Sequence, residues 1–509
     1  MPTVRPAALA LSLFLPLSAS AQERPREEDL FGAPPAEAPA AEKPAPSGSQ
    51  ASPSSTSGRP GEAEVLGGQG ADAAEAKLTS RLKESDNPLQ IGGQLYLRLN
   101  TFAREDQPPS KWGLNSPNVV DLFLDARPSD RLRGYTLLRA FYDPTQTQGA
   151  SPLLIPVGVA SLPAGKTTQA VLDQLWISFD IGQRAFVTAG KQHVKWGTGR
   201  VWNPTDYLHT QRRDPLQVFD TRGGTYMARV QVPLGEQRGG ITAAAVFEPL
   251  APQVQPLVYQ PDSGPPQSSS ELGGVGGAAR AEVVLGNWEF GADAVAQRGM
   301  KPRAGLDVSG GLWELDLRGE VAFRTGSDVV ALRPGPETVT VPGYGTQTTP
   351  WQRYQPGFWV QAVGSVEWST KYSDEDTLTI GAEYFYNQTG YDDPAAYPYL
   401  IGWNAYVPLY LGRHYLALSL LLPRPGSWND TTITLTGVAN LSDHSGVVRL
   451  DWSTTFLTWL RFEFYAQGHL GHLGGELRFG GPVSFFDSMV PVSVPAPAAD
   501  AGVALRVAL

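Results

Sequence analysis

The chain has 509 residues, a formal net charge of −10 and no cysteine. Disulfides and thiolate metal sites are therefore excluded. The acidic balance argues against nucleic acid, which calls for concentrated basic surface. Arginine outnumbers lysine 31 to 9; genome composition and a guanidinium-lined interior both account for that excess.

At the N-terminus, Arg5 supplies a positive start, Ala7 to Leu17 a short apolar core, and Ala19-Ser20-Ala21 a small-x-small cleavage site. Residues 1–21 are read as a secretory signal, because a buried N-terminal helix would need none of these parts. No Cys follows the site, which excludes a lipoprotein anchor. Residues 22–87 are rich in Pro, Ala, Ser, Gly and Glu, with Phe31 almost their only aromatic residue. Such a segment cannot bury a core, so it is predicted to be a disordered, partly polyproline-like linker. Within it, Leu78 and Leu82 lie one helical turn apart in 71–84. A trimerising coil, a plug and a transient helix are the three readings of that stretch.

From 88 to 509 the pattern changes. In Glu314-Leu315-Asp316-Leu317-Arg318-Gly319-Glu320-Val321-Ala322-Phe323-Arg324 the odd positions are mostly apolar and the even ones mostly charged. A strand projects alternate side chains to opposite faces, so one face is oily and the other ionic. The pattern recurs to the C-terminus, and no stretch approaches the roughly 20 apolar residues of a spanning helix. The expected fold is all-β: a transmembrane antiparallel β-barrel with lipid outside and a polar lumen inside. Strands are expected at 90–102, 118–127, 133–142, 171–181, 184–194, 224–232, 240–248, 277–286, 288–297, 304–310, 313–325, 357–369, 376–388, 412–422, 430–440, 446–455, 458–468 and 501–509. That makes about 18, with about 16 as the alternative, since 304–310 is short and alanines blur 240–248.

The connections alternate. Short ones such as Pro128-Ser129-Asp130-Arg131, Gly286-Asn287 and Gly310-Gly311 alternate with mostly long ones, including 143–170, 195–223, 326–356 and 469–500. This is the rhythm of periplasmic turns and outer loops, and it places the linker as a tether in the periplasm. Outward Trp288, Trp368 and Trp452 fall at turn ends, and Tyr226, Phe358, Tyr384 and Tyr386 at loop ends, as two aromatic girdles would. The chain closes on an alternating strand, Val503 to Leu509.

Inward positions include Asp121, Asp125, Gln174, Trp176, Ser178, Glu289, Glu314, Gln361, Glu367, Glu383, Asp451, Trp459 and Tyr465. The lumen-wall candidates are Arg280, Glu282, Asp293, Asp316, Arg318, Glu320, Arg324, Arg449, Arg461 and Glu463. Opposed acidic and basic walls would set a transverse field; paired charges would instead seal the wall. A barrel of about this size leaves an aqueous channel unless a loop or plug fills it.

The most distinctive segment is Lys191-Gln192-His193-Val194-Lys195-Trp196-Gly197-Thr198-Gly199-Arg200-Val201-Trp202-Asn203-Pro204-Thr205-Asp206. Its glycines allow tight backbone paths, and Asn203-Pro204 forces a turn that Asp206 is suited to cap. The stretch resembles bacterial outer-membrane porin-like barrels that share a Trp-Gly-x-Gly-x-x-Trp-Asn-Pro-x-Asp signature and whose function is poorly defined. The resemblance covers about twenty residues, beside the general barrel pattern. In well-known porins the loop after strand five folds into the lumen. The resemblance therefore implies a constriction loop carrying Trp196, Arg200, Trp202, Asn203, Asp206, Arg212 and Arg213. Packing of the two tryptophans onto the inner wall is the other reading.

No Gly-x-Ser-x-Gly, His-Glu-x-x-His or P-loop sequence occurs. Asp443-His444-Ser445 reads as a turn, because adjacent side chains point apart. No enzyme activity, cofactor or metal is expected. The expected function is an outer-membrane channel for passive diffusion of small polar or anionic solutes. A non-conducting structural or surface-interaction barrel is the alternative, with loops 249–276, 326–356 and 389–411 as its contact surface. Expected partners are outer-membrane lipid and lipopolysaccharide, the barrel-assembly machinery, small solutes and further copies in a homotrimer.

Overall fold

The computed structural model describes residues 88–145, 167–209, 212–217, 220, 222–235, 238–250, 272–341, 345–373, 376–403, 405–483 and 492–508. The signal, the linker, much of loops 143–170 and 249–276, and Leu509 lie outside the described residues.

Nineteen strands join one sheet. One of them, Gly113–Asn115, only extends the edge of the first strand. The other eighteen form a closed antiparallel wall. They are β1 (Leu89–Arg104), β2 (Asn118–Ser129), β3 (Leu132–Tyr142), β4 (Thr168–Ile181), β5 (Ala185–Gln192) and β6 (Thr225–Pro233). There follow β7 (Gly239–Val246), β8 (Gly276–Leu285), β9 (Trp288–Ala296), β10 (Arg303–Leu312), β11 (Leu315–Thr325) and β12 (Phe358–Lys371). The last are β13 (Thr377–Asn387), β14 (His414–Pro423), β15 (Thr431–Asn440), β16 (Ser445–Thr455), β17 (Leu460–Gly471) and β18 (Pro497–Ala508). Each pairs with its sequence neighbours, and β1 pairs with β18 from Gln94↔Ala508 to Arg104↔Pro497. Closure removes both free edges, so the strands pair with one another without water.

Every expected strand is present, the short one at 304–310 included, and the count is eighteen rather than sixteen. The differences lie between strands. Loop 326–356 contains a hairpin, Ala331–Val341 with Gly345–Tyr354. Loop 389–411 carries a short helix, Tyr397–Gly402. The last loop adds a small ladder, Gly481–Val483 with Val492–Val494. The period-two run Thr338-Val339-Thr340 before Gly345 was the legible sign of the hairpin.

The barrel is turned inside out relative to a water-soluble protein. Leu122, Leu138, Leu306 and Leu418 are about half exposed, whereas Asp125 is 3% and Glu320 1% exposed. An apolar outer belt around a charged interior is stable only where hydrocarbon replaces water outside.

Two inward assignments need correction. Trp459 lies in the turn between β16 and β17, exposed, and not in the lumen. Glu314 likewise sits exposed in the turn before β11, where it accepts a hydrogen bond from Trp368 Nε1. Both follow the parity of their strand on paper, but the strand ends before them. Conversely, Asp173 went unread. A β-bulge opposite Leu137 and Leu138 places both Asp173 and Gln174 inside, which breaks strict alternation.

Candidate functional site

The segment between β5 and β6 does not stay at the rim. It crosses the lumen and is held against β11–β13 by three glutamates on adjacent strands. Glu320 of β11 accepts hydrogen bonds from the backbone N–H of Thr198 (3.1 Å), Gly199 (3.0 Å) and Thr205 (2.6 Å), and from Thr205 Oγ1 (2.8 Å). Glu383 of β13 accepts from three successive amides, Arg200 (2.9 Å), Val201 (2.9 Å) and Trp202 (2.8 Å). Glu367 of β12 pairs with the Arg200 guanidinium at 2.7 Å. Convergent amides cradle an anion as a backbone nest does. They also make burial of two carboxylates tolerable, since a buried charge without such partners is costly.

The glycines of the signature are required by this approach. Gly197 has φ +82°, and a Cβ there would lie 2.6 Å from Glu320 Oε2 and 2.4 Å from Asn203 Oδ1. A Cβ on Gly199 would lie 1.9 Å from Trp202 O. Asn203 closes the turn by donating from Nδ2 to Trp196 O at 2.7 Å.

Asp206 was expected to cap the turn, but its carboxylate finds its described partners elsewhere. It joins the loop's two halves, meeting His209 Nδ1 at 2.9 Å and accepting from Arg222 Nη1 at 2.8 Å. Burial pulls its pKa upward, but His209 and Arg222 outweigh burial and hold the carboxyl well below the usual carboxylate range. The chain of contacts continues from His209 to His193 (3.4 Å) and from His193 to Asp173 of β4 (3.0 Å). The loop is thus anchored to both sides of the lumen.

Trp196 and Trp202 do not present their rings to open space. Trp202 is fully buried, its ring centroid 5.5 Å from both Phe385 and Tyr415, and its Nε1 donates to Leu409 O at 2.9 Å. Trp196 packs with Tyr207, Met227 and Val246. As constriction residues both are corrected to packing residues: a large rigid ring gains more from an apolar cluster than from a wet lumen. Arg212 lies over the Tyr410 ring at 4.9 Å, and Arg213 lines the same small pocket as Lys195.

The lumen-wall candidates fall into three groups. Arg280 is bound by Glu282 (2.6 Å), Asp293 (3.1 Å) and Asp307 (2.6 Å), in a network across β8–β10. Glu320 and Arg324 are taken up by the loop, Arg324 donating to Pro204 O at 2.9 Å. Arg318, Arg449, Arg461 and Glu463 line a cavity between the loop and the wall from β11 round to β18 and β1. Asp316 is half-buried at the turn end of β11. Charges of opposite sign pair with near neighbours, as in Arg139–Asp121 (2.8 Å), Arg318–Glu367 (3.1 Å) and Arg449–Asp451 (2.8 Å). Separate acidic and basic walls are therefore not formed by these residues.

Asp443-His444-Ser445 is a turn. Asp443 Oδ1 accepts from Ser445 N at 2.9 Å and Ser445 Oγ at 2.6 Å, and His444 takes φ +60°.

The fold and the loop define a closed transmembrane β-barrel whose third long connection is folded inward. No family model and no curated protein matches the sequence. Similar solved structures include Acinetobacter baumannii OccAB4, with 6% identity, TM-score 0.47 and coverage of 83% of this chain and 98% of that one. A BenF-like porin from Pseudomonas fluorescens Pf-5 gives 9%, 0.46, 82% and 98%. Pseudomonas putida OprB gives 10%, 0.43, 86% and 97%. Likeness at this level carries no argument about what passes through the barrel.

Proposed function

We propose that the protein is an outer-membrane channel through which small polar and anionic solutes diffuse passively. The inward loop, with Arg200, Arg212 and Arg213, is its constriction. The carrying observation is the cavity left between that loop and a wall bearing Arg318, Arg449, Arg461 and Glu463. Side chains on β-strands are rigidly placed, so charges there tune the passage of ions without moving. Purified protein in a planar bilayer tests the reading. Discrete conductance steps with anion preference are expected, and silence from correctly folded protein would reject it.

A second reading, a non-conducting structural or surface barrel, is favoured by the apolar filling around the loop. Trp202, Leu216, Phe385, Leu409 and Tyr415 form a buried cluster inside the wall. Under this reading loops 249–276, 326–356 and 389–411 are the contact surface, the last two with their hairpin and helix Tyr397–Gly402, and the bilayer remains silent. Lipopolysaccharide around the apolar belt, insertion by the barrel-assembly machinery and a homotrimer complete the proposal. Crosslinking in native membranes tests the trimer, and a monomer alone would remove it.

A further inference from the structure

The loop that crosses the lumen leaves positive charge unanswered. A small pocket is lined by Lys195, Arg200, Arg212, Arg213 and Arg222, with Asp206 as its acidic member. Two of these cations are spoken for. Arg222 is held by Asp206 and Asp220, and Arg200 by Glu367. The other three have no carboxylate within 4.0 Å among the described residues. Among the described residues, Lys195 Nζ donates to Gly199 O at 3.2 Å, and Arg212 Nη1 reaches Asn203 O at a long 3.5 Å. Arg213 Nε and Nη2 are buried without a hydrogen-bond partner.

Lys195 is exposed in this pocket and Arg212 and Arg213 are half-buried, and a guanidinium with buried, idle N–H groups calls for an acceptor. Desolvation within the loop and then the charge of Arg213 lower the pKa of Lys195, while Asp206, Glu320 and Glu383 raise it. A bound anion would relieve both effects. The planar fork of arginine fits carboxylate, sulfate and phosphate oxygens in pairs.

We propose that Lys195, Arg212 and Arg213 form a saturable binding site for a small oxyanion, set in the loop across the lumen. The site rests on the channel reading only for its route of access. It turns a general preference for anions into binding at one place, with Arg213 supplying the buried donors and Tyr410 holding the Arg212 plane.

Calorimetric titration of inorganic phosphate into the detergent-purified barrel at low ionic strength tests it. The wild type is expected to bind with saturation, and Arg213→Gln at least about tenfold more weakly, since charged hydrogen bonds are lost. Arg333→Gln, on the exposed outer hairpin, should bind as the wild type does. Titrations with acetate and sulfate separate a carboxylate preference from a phosphate one. Absence of saturable binding, or equal binding by Arg213→Gln and Arg333→Gln, overturns the site. If Arg213→Gln does not fold, selenate soaked into wild-type crystals decides. An anomalous peak within hydrogen-bond reach of Arg213 and Lys195 supports the site, and an empty pocket overturns it. Because binding is read in detergent, phosphate binding without conductance would keep the site and reject the channel. Conductance without binding would do the reverse.

Discussion

Strands β8–β10 and strands β11–β13 are neighbouring sectors of one wall, yet they treat buried acids differently. In the first, Asp293 and Asp307 are answered by Arg280 from the wall itself. In the second, Glu320 and Glu383 have no wall arginine as ion-pair partner among the described residues and accept seven loop donors between them. A wall that satisfies its own charges stays smooth. A wall that leaves carboxylates unsatisfied acquires whatever segment brings amides to them, which here is the loop after β5. The difference separates a load on barrel stability from a load on loop position.

The largest effect expected from this contrast is in the first sector. Arg280→Leu would strand Asp293 and Asp307 without their cation and lower stability by about 3–5 kcal/mol. Urea unfolding in detergent checks this. A loss no greater than that of an exposed arginine variant would break the distinction. Next, Leu418→Arg puts a charge on the apolar belt, where Leu418 is 54% exposed, and should cost about 2–4 kcal/mol in lipid if it lies near mid-bilayer. The same substitution should cost much less in mild detergent, where the surroundings are more adaptable. Equal cost in the two would contradict a lipid-facing position.

A smaller effect concerns the loops at the rim. Glu476 is buried beside Asp443 and accepts from Tyr415 Oη (2.6 Å), Asn440 Nδ2 (2.8 Å) and the Leu409 amide. Burial first, opposed by those hydrogen bonds and aided by Asp443, pushes its pKa from the ordinary 4.5 up to about 8. A raised carboxyl pKa means the folded state holds the proton longer than the unfolded one. Its contribution is full below about pH 4.5 and is lost as pH rises towards about 8. Glu476→Gln should flatten that slope in a pH series of thermal unfolding, and an unchanged slope would remove Glu476 as its source.

Much of this wall was legible in the sequence because a strand has a period of two and lipid reads one face of it. Leu315, Leu317 and Val321 against Asp316, Arg318 and Glu320 leave no other arrangement. Where the period is interrupted, the reading failed, as at the Asp173 bulge and past the strand end at Trp459. The loop was only half legible. Its glycines, its turn and its arginines stood out. Its anchors were visible only as lumen-facing acids, because Glu320 meets Gly199 across 121 positions and Glu383 meets Trp202 across 181. No local pattern encodes such a pairing. The two tryptophans were conspicuous for a structural reason: they fill the space between loop and wall.

The central claim is that Glu320 and Glu383 hold the loop across the lumen and thereby set its width. Single-channel recording of the double variant Glu320→Ala, Glu383→Ala against the wild type tests it most directly. Freed of seven hydrogen bonds, the loop should leave the wall. Conductance should then rise, and the loop should become open to protease between Lys195 and Arg213. A correctly folded double variant with wild-type conductance and a protected loop would contradict the account.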